Sequence, residues 1–151
     1  MMKKLTTMLL TSALLTSQIA MAHSEHGQST DDAAEYRQAV MGSIAWQMGA
    51  IKMILKDDHL DSKAVAKRAE NLRFLSTLPL EGFKLGEVQD SAKAKIWDNW
   101  DDFSQKMQNL TETATALANS ANKNSKLSIL KKAFGKTAQA CKSCHKLYKK
   151  R

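Results

Sequence analysis

Three residues near the end of the chain have the types and spacing that metal-cofactor chemistry needs. Cys141 and Cys144 are separated by Lys142 and Ser143, and His145 follows at once. Each thiol of a Cys-x-x-Cys pair can add to one vinyl group of a haem, and a histidine directly after the second cysteine is placed to bind the iron. Cys-Lys-Ser-Cys-His therefore reads as an attachment motif for one covalent haem c, with His145 as the axial iron ligand. Two other chemistries use paired cysteines. A thioredoxin-like redox pair needs strands in a βαβ pattern around it, and a structural zinc needs two more ligands at matching spacing. The sequence offers neither.

The other residues with chemical potential are weaker. His23 and His26 suit a solvated tail better than a copper or nickel site, and His59 falls in a charged turn. Trp46, Trp97 and Trp100 could relay electrons, although tryptophans at helical spacing more often fill a core. No Ser-His-Asp set, phosphate-cradling glycine loop or paired-carboxylate motif stands out, and no enzymatic activity is expected.

A haem attached through thioethers implies export, and the N-terminus carries a matching signal. Lys3 and Lys4 precede a largely apolar stretch, and Ala20 and Ala22 suit the minus-three and minus-one sites of signal peptidase. Residues 1–22 are thus expected to be a signal peptide, cleaved before His23, with 23–30 a flexible leader and 31–151 the haem-binding domain. The apolar stretch is interrupted by Thr, Ser and Gln, and falls short of the roughly 20 consecutive apolar residues of a membrane span. The expected compartment is the periplasm, without stable membrane insertion. Cleavage removes two lysines, so the net charge of +8 falls to +6. Nucleic-acid binding, the usual competing interpretation of such a charge, does not fit an exported protein. The basic residues Lys142, Lys146, Lys149, Lys150 and Arg151 gather around the motif, where they could steer acidic redox partners or simply complement a helix dipole.

The elements that must position the motif are helices. With 43% hydrophobic residues, one proline and six glycines, 151 residues suit one helical domain and cannot supply the turns of an all-β fold. From a cap at Asp31, Tyr36, Val40, Ile44, Met48, Ile51 and Leu55 recur at three and four, predicting a helix over 31–56. Asp61 caps a second, on which Val65, Ala69, Leu72, Leu75 and Leu78 mark one face, ended by Pro79. Residues 79–90 show no period and read as the one sizeable loop. Ile96, Trp100, Phe103, Met107, Leu110, Ala114 and Leu117 then form a sustained heptad seam. The fourth face runs through Leu127, Leu130, Phe134, Ala138, Cys141, His145 and Tyr148, so the motif lies on that helix. This is an all-α pattern, an antiparallel up-down-up-down four-helix bundle with covalently attached haem. An elongated coiled coil fits less well, because the seam is interrupted at Pro79 and near Asn119.

A motif at the C-terminal end of four helices resembles the cytochrome c-prime family and its methionine-ligated low-spin relatives. The resemblance extends from about Asp31 to the end. It rests on Tyr36-Arg37-Gln38-Ala39-Val40-Met41, Arg68-Ala69-Glu70-Asn71-Leu72, Ile96-Trp97 with Phe103, and the Cys141 to His145 motif. It implies that Arg37 lies near the haem propionates, that Lys149 lies near the proximal face, and that Met41 occupies the distal position. A thioether there would complete methionine–histidine ligation and raise the potential toward electron transfer, or would only pack over the ring. Met48, seven residues on, shares the helical face, and the resemblance alone prefers Met41. One-electron transfer is the expected function; the alternative is binding of nitric oxide or carbon monoxide at a five-coordinate iron. The resemblance also implies a homodimer through the first two helices.

Overall fold

A computed structural model describes residues 29–57, 60–85 and 91–150. The expected signal peptide, most of the leader, His23, His26, His59 and Arg151 lie outside the described residues. Among the described residues six helices follow in order: α1 Thr30–Ile54, α2 Ser62–Leu75, α3 Pro79–Lys84, α4 Lys95–Asp98, α5 Trp100–Asn122 and α6 Leu127–Tyr148.

Local chemistry explains most of these boundaries. Ser29, not Asp31, caps α1, its Oγ accepting from the Asp32 amide at 3.1 Å, while Asp31 and Asp32 sit in the first turn where the helix dipole favours carboxylates. Asp61 caps α2 as expected, accepting from the Ala64 amide at 2.9 Å. Pro79 does not end a helix, as its lack of an amide proton suggested; α2 has already stopped at Leu75, and the proline opens α3 at a first-turn position where no amide hydrogen is needed. The region read as loop from 79 to 90 thus begins with a short helix. The expected third helix is also divided. Asn99 leaves helical geometry at φ −133° and ψ 51°, setting α4 with Ile96 and Trp97 apart from the long α5. Between α5 and α6, Asn124 takes φ 49°, a left-handed conformation that asparagine tolerates better than most residues.

The four long helices pack in the sequence α1–α2–α5–α6. At one end the buried residues are aliphatic or alanine: Val40, Ile44, Ile51 and Leu55 of α1 meet Val65, Ala69, Leu72, Ala114, Leu117 and Leu130. At the other, Phe83, Ile96, Phe103, Met107, Leu110 and Tyr148 form an aromatic-rich cluster against which Cys141 and Cys144 pack. Since α1 runs from Arg37 near the second cluster to Leu55 in the first, and α6 from Leu130 to Tyr148 in the opposite sense, the two helices are antiparallel. They have no packing comparable with that of the other neighbours. This is the expected bundle, with a gap along one side.

Candidate haem site

The gap is a cavity of about 590 Å3, within the range of cofactor pockets. Gln38, Met41, Gly42, Ala45 and Met48 of α1 form one wall. Ala138, Cys141, Cys144, His145 and Tyr148 of α6 form another, and Phe83, Ile96, Phe103, Met107 and Leu110 close the floor. The floor belongs to three different elements, and only α5 supplies several of its residues at helical spacing.

The structure brings all the expected site residues to this one cavity. Cys141 and Cys144 lie one helical turn apart, half-buried and unbridged, and His145 lines the cavity beside them. Burial pushes both thiols up, Cys144 to about 11. This is the reverse of a redox-active pair, whose nucleophilic cysteine is held as thiolate by positive surroundings. Burial, then the Lys149 ammonium, holds the His145 imidazole below its ordinary value and so in the neutral form that ligates metals. Across the cavity, Met41 is half-buried and packs against both the aliphatic and the aromatic cluster. Met48 lines the same wall but packs only against the aliphatic cluster. Among the described residues no group of three or more His, Cys, Asp or Glu side chains gathers as a metal site.

Arg37 is 2% exposed, far from a solvated surface charge. Its Nη1 donates to the Gly82 carbonyl at 2.9 Å and its guanidinium lies 5.2 Å from the centre of the Phe83 ring. The neighbouring Tyr36 hydroxyl bonds to Glu81, so two consecutive residues of α1 grip α3 and aim Phe83 at the cavity. Gly82 is required at that grip, since a Cβ there would come within 2.7 Å of Tyr36 Cδ1. Trp97 holds the other side, donating Nε1 to the Phe83 carbonyl at 2.9 Å. Lys149 lines the cavity at the end of α6, where residues 149 and 150 pair with 91–93: Lys93 donates to the Tyr148 carbonyl at 3.0 Å, and Lys150 to that of Ser91 at 2.8 Å.

Sequence reasoning missed several members of this site. Phe83 sits in a stretch without period, and Lys106 of α5, which lines the cavity and pairs with Asp102 at 3.3 Å, looks like any solvated lysine. Tyr148 was legible only as a seam residue. It is 3% exposed, its ring meets Phe103 edge-on at 5.3 Å, and its hydroxyl donates to Asp102. Burial and that carboxylate push its phenol up to about 12.

The donor set fits a haem: two thiols and an imidazole on one wall, a thioether on the facing wall, an apolar floor for the ring, and the cations Arg37, Lys106 and Lys149 for its carboxylates. Known proteins agree with this fit. The family model described as Cytochrome C' matches residues 32–149. Cytochrome c' of Halomonas halodenitrificans is 32% identical over 76% of this chain and 93% of its own. Cytochrome c-554 of Cereibacter sphaeroides is 30% identical over 92% and 95%. Among solved structures, cytochrome c prime from Shewanella frigidimarina superposes with a TM-score of 0.76 at 39% identity, covering 83% of this chain and 99% of its own. A nitric oxide complex of a mutant cytochrome c prime from Alcaligenes xylosoxidans gives 0.77 at 30%, over 82% and 97%. A haem motif on the last of four helices, a cavity that accepts the ring and relatives spanning the whole domain lead to one conclusion: the chain belongs to the cytochrome c' family, whose members carry one covalent haem c.

Proposed function

We propose that this chain is a periplasmic monohaem cytochrome that transfers single electrons. When bound, haem supplies an iron that cycles between ferrous and ferric states. Cys141 and Cys144 hold the ring through thioethers, His145 is the proximal ligand, and Met41 is the sixth. Arg37 and Lys149 offset propionate charge. The floor from Phe83 to Leu110 limits water and so stabilises the less charged ferrous form. The observation that carries this reading is the half-buried Met41 thioether facing the α6 wall at the boundary of the two clusters. The N-terminal signal supports the compartment. Optical spectra of ferric and ferrous protein, with and without carbon monoxide, test the ligation. A methionine–iron charge-transfer band lost in Met41→Ala is expected. A high-spin ferrous form that takes up carbon monoxide readily would replace electron transfer with gas binding.

Gas binding is the second reading, and one feature of the wall favours it. Gly42 and Ala45, both small and exposed, flank Met41, and a Cβ at Gly42 meets nothing within 4 Å, so a displaced thioether has room to swing outward. A relative of known structure holds nitric oxide.

The partner we propose is an acidic redox protein docking on the basic rim. The pairing of 91–93 with 149–150 sets Lys93 beside Lys149 and Lys150, next to the cavity, and extends the basic rim beyond α6. Electron exchange with such a partner should slow steeply as salt rises, and charge reversal at Lys149 and Lys150 should weaken that dependence. A homodimer through α1 is supported by its exposed face, where Trp46 and Met53 are 71% and 69% exposed and one helical heptad apart. Sedimentation of wild type and Trp46→Glu tests it.

A further inference from the structure

Tyr148 is more than a wall of the cavity. Its phenol is buried, yet hydrogen-bonded to Asp102, a carboxylate that reaches solvent and is paired with Lys106. Its ring touches Phe103 at 5.3 Å, and Phe103 in turn touches Trp100 at 5.9 Å and Phe83 at 4.8 Å, with Trp97 beyond at 6.5 Å. Tyrosine and tryptophan are the side chains most easily oxidised by one electron, and tyrosine gives up its electron readily only when a base accepts the phenol proton in the same event. Here the base is already in place, at the end of a hydrogen bond that leads away from the cavity. Packing alone would be served equally by phenylalanine, as at positions 83 and 103, without burying a hydroxyl that then needs a partner.

We propose that Tyr148 is a redox-active residue, which together with Asp102 and Trp100 drains oxidising equivalents from the haem pocket when a hydroperoxide reacts there. The inference rests on the haem reading above, in the state in which the Met41 thioether has swung aside past Gly42 and the distal side of the cavity is open. Reduction of the peroxide follows ROOH + 2e− + 2H+ → ROH + H2O, with the protons taken from solvent at the cavity mouth. With haem bound in the ferrous state, the iron would give one electron and become ferric, and the Tyr148 ring would give the other. The O–O bond breaks, and the phenol proton moves to Asp102, leaving a neutral tyrosyl radical. Electron transfer from Trp100, through the edge of Phe103, returns Tyr148 to the reduced state when Asp102 gives the proton back. The oxidised site is then Trp100, which is only partly buried, where a small one-electron donor such as ascorbate can reduce it. The haem itself is spared.

The experiment uses mature haem-loaded protein, with haem content first confirmed by its pyridine adduct spectrum, so that failure of attachment is seen before any radical is sought. Ferrous protein is mixed with one equivalent of hydrogen peroxide, freeze-quenched and examined by electron paramagnetic resonance, with ring-deuterated tyrosine to identify the signal. Peptide mapping of oxidised residues and the rate of haem bleaching are read in parallel. A tyrosyl signal narrowed by the label is expected in wild type and lost in Tyr148→Phe, which keeps the ring and its contact with Phe103. Bleaching should rise several-fold in that variant. In Asp102→Asn, which accepts the hydrogen bond but not the proton, the signal should be strongly reduced. In Trp100→Phe the tyrosyl signal should persist longer, and the oxidised-tryptophan peptide should disappear. An unchanged radical in Tyr148→Phe, or no protein radical together with unchanged bleaching, overturns the proposal in protein shown to carry haem.

Discussion

The two ends of this bundle solve different problems with the same four helices. At the Leu55 end, Ile51, Leu72, Leu117 and Leu130 are wholly or almost wholly buried among alanines, and the helices close on one another. At the Tyr148 end, aromatic rings from α3, α5 and α6 surround a cavity of about 590 Å3, and α1 stands off from α6. Small aliphatic residues let helix backbones approach and fill space at crystal-like density, so the first end is stable without help. Large rings meeting edge-on hold a space open, and the second end is completed only by what enters it. Met41 packs against both clusters, so the candidate sixth ligand stands on rigid ground while facing the hollow.

The most damaging way to break this asymmetry is to deny the hollow end its cofactor. Cys141→Ser combined with Cys144→Ser should leave no haem covalently retained, and amides of α1 around Met41 and of α6 around Cys141 should exchange with deuterium many times faster. Amides around Leu117 should stay protected. Uniform loss of protection would show that the two ends are one cooperative unit. The converse change is Leu117→Ala, in the dry end, where the side chain is 0% exposed. It should cost about 2–5 kcal/mol in denaturant unfolding of the holoprotein. The visible spectrum should hardly change, because no residue of the cavity is touched.

The same contrast decides what could be read from the sequence. The dry end is a repeat of apolar residues at three and four, and Val40, Ile44, Ile51, Ala114 and Leu117 all lie where that period puts them. The haem motif and its helix were equally legible, since Cys141, Cys144 and His145 are local in sequence. The hollow end depends on contacts between residues far apart. Six residues cannot show a helical period, and α3 is held by Tyr36 and Arg37 across 45 positions of chain. The heptad seam passes through Asn99 without a mark, although the helix breaks there and Trp97 bonds to the Phe83 carbonyl. Lys106 has no apolar signature at all, and the pairing of residues 91–93 with 149–150 has no pattern long enough to count as strands.

The grip of α1 on α3 offers a subtler break. Arg37→Met keeps the length of the side chain but strands the Gly82 carbonyl and removes the cation from beside Phe83. The loss should be about 1.5–3 kcal/mol, the range for a hydrogen bond to a charged group. With Arg37 offsetting propionate charge as proposed, the midpoint potential should fall, because a positive charge there favours the reduced state. Gly82→Ala attacks the same joint from the other side, driving a methyl into Tyr36, and should cost about 1–3 kcal/mol as overpacked sites do. Both changes should accelerate carbon monoxide binding by loosening Phe83, whereas Leu117→Ala should not.

The smallest effect separates the ends by pH. At the hollow end the Tyr148 hydrogen bond, followed by Lys106, holds the Asp102 carboxyl below its ordinary value. At the dry end the Arg73 side chain, and then Asn122, does the same for Glu70. A carboxyl with a depressed pKa in the folded state stabilises the fold above its unfolded value, roughly pH 4, and that contribution is lost as pH falls through the lower folded value. Both groups therefore add to stability on the neutral plateau, and the loss of that share steepens the acid limb of the stability curve. Tyr148→Phe should flatten the limb by removing the Asp102 share, and Arg73→Met should remove the Glu70 share, with the double variant showing the sum because the two sites do not touch. Urea midpoints across the acid limb measure it. A Tyr148→Phe curve parallel to wild type at every pH would mean that the phenol contributes packing and a neutral hydrogen bond only, and that Asp102 titrates as it does in the unfolded chain.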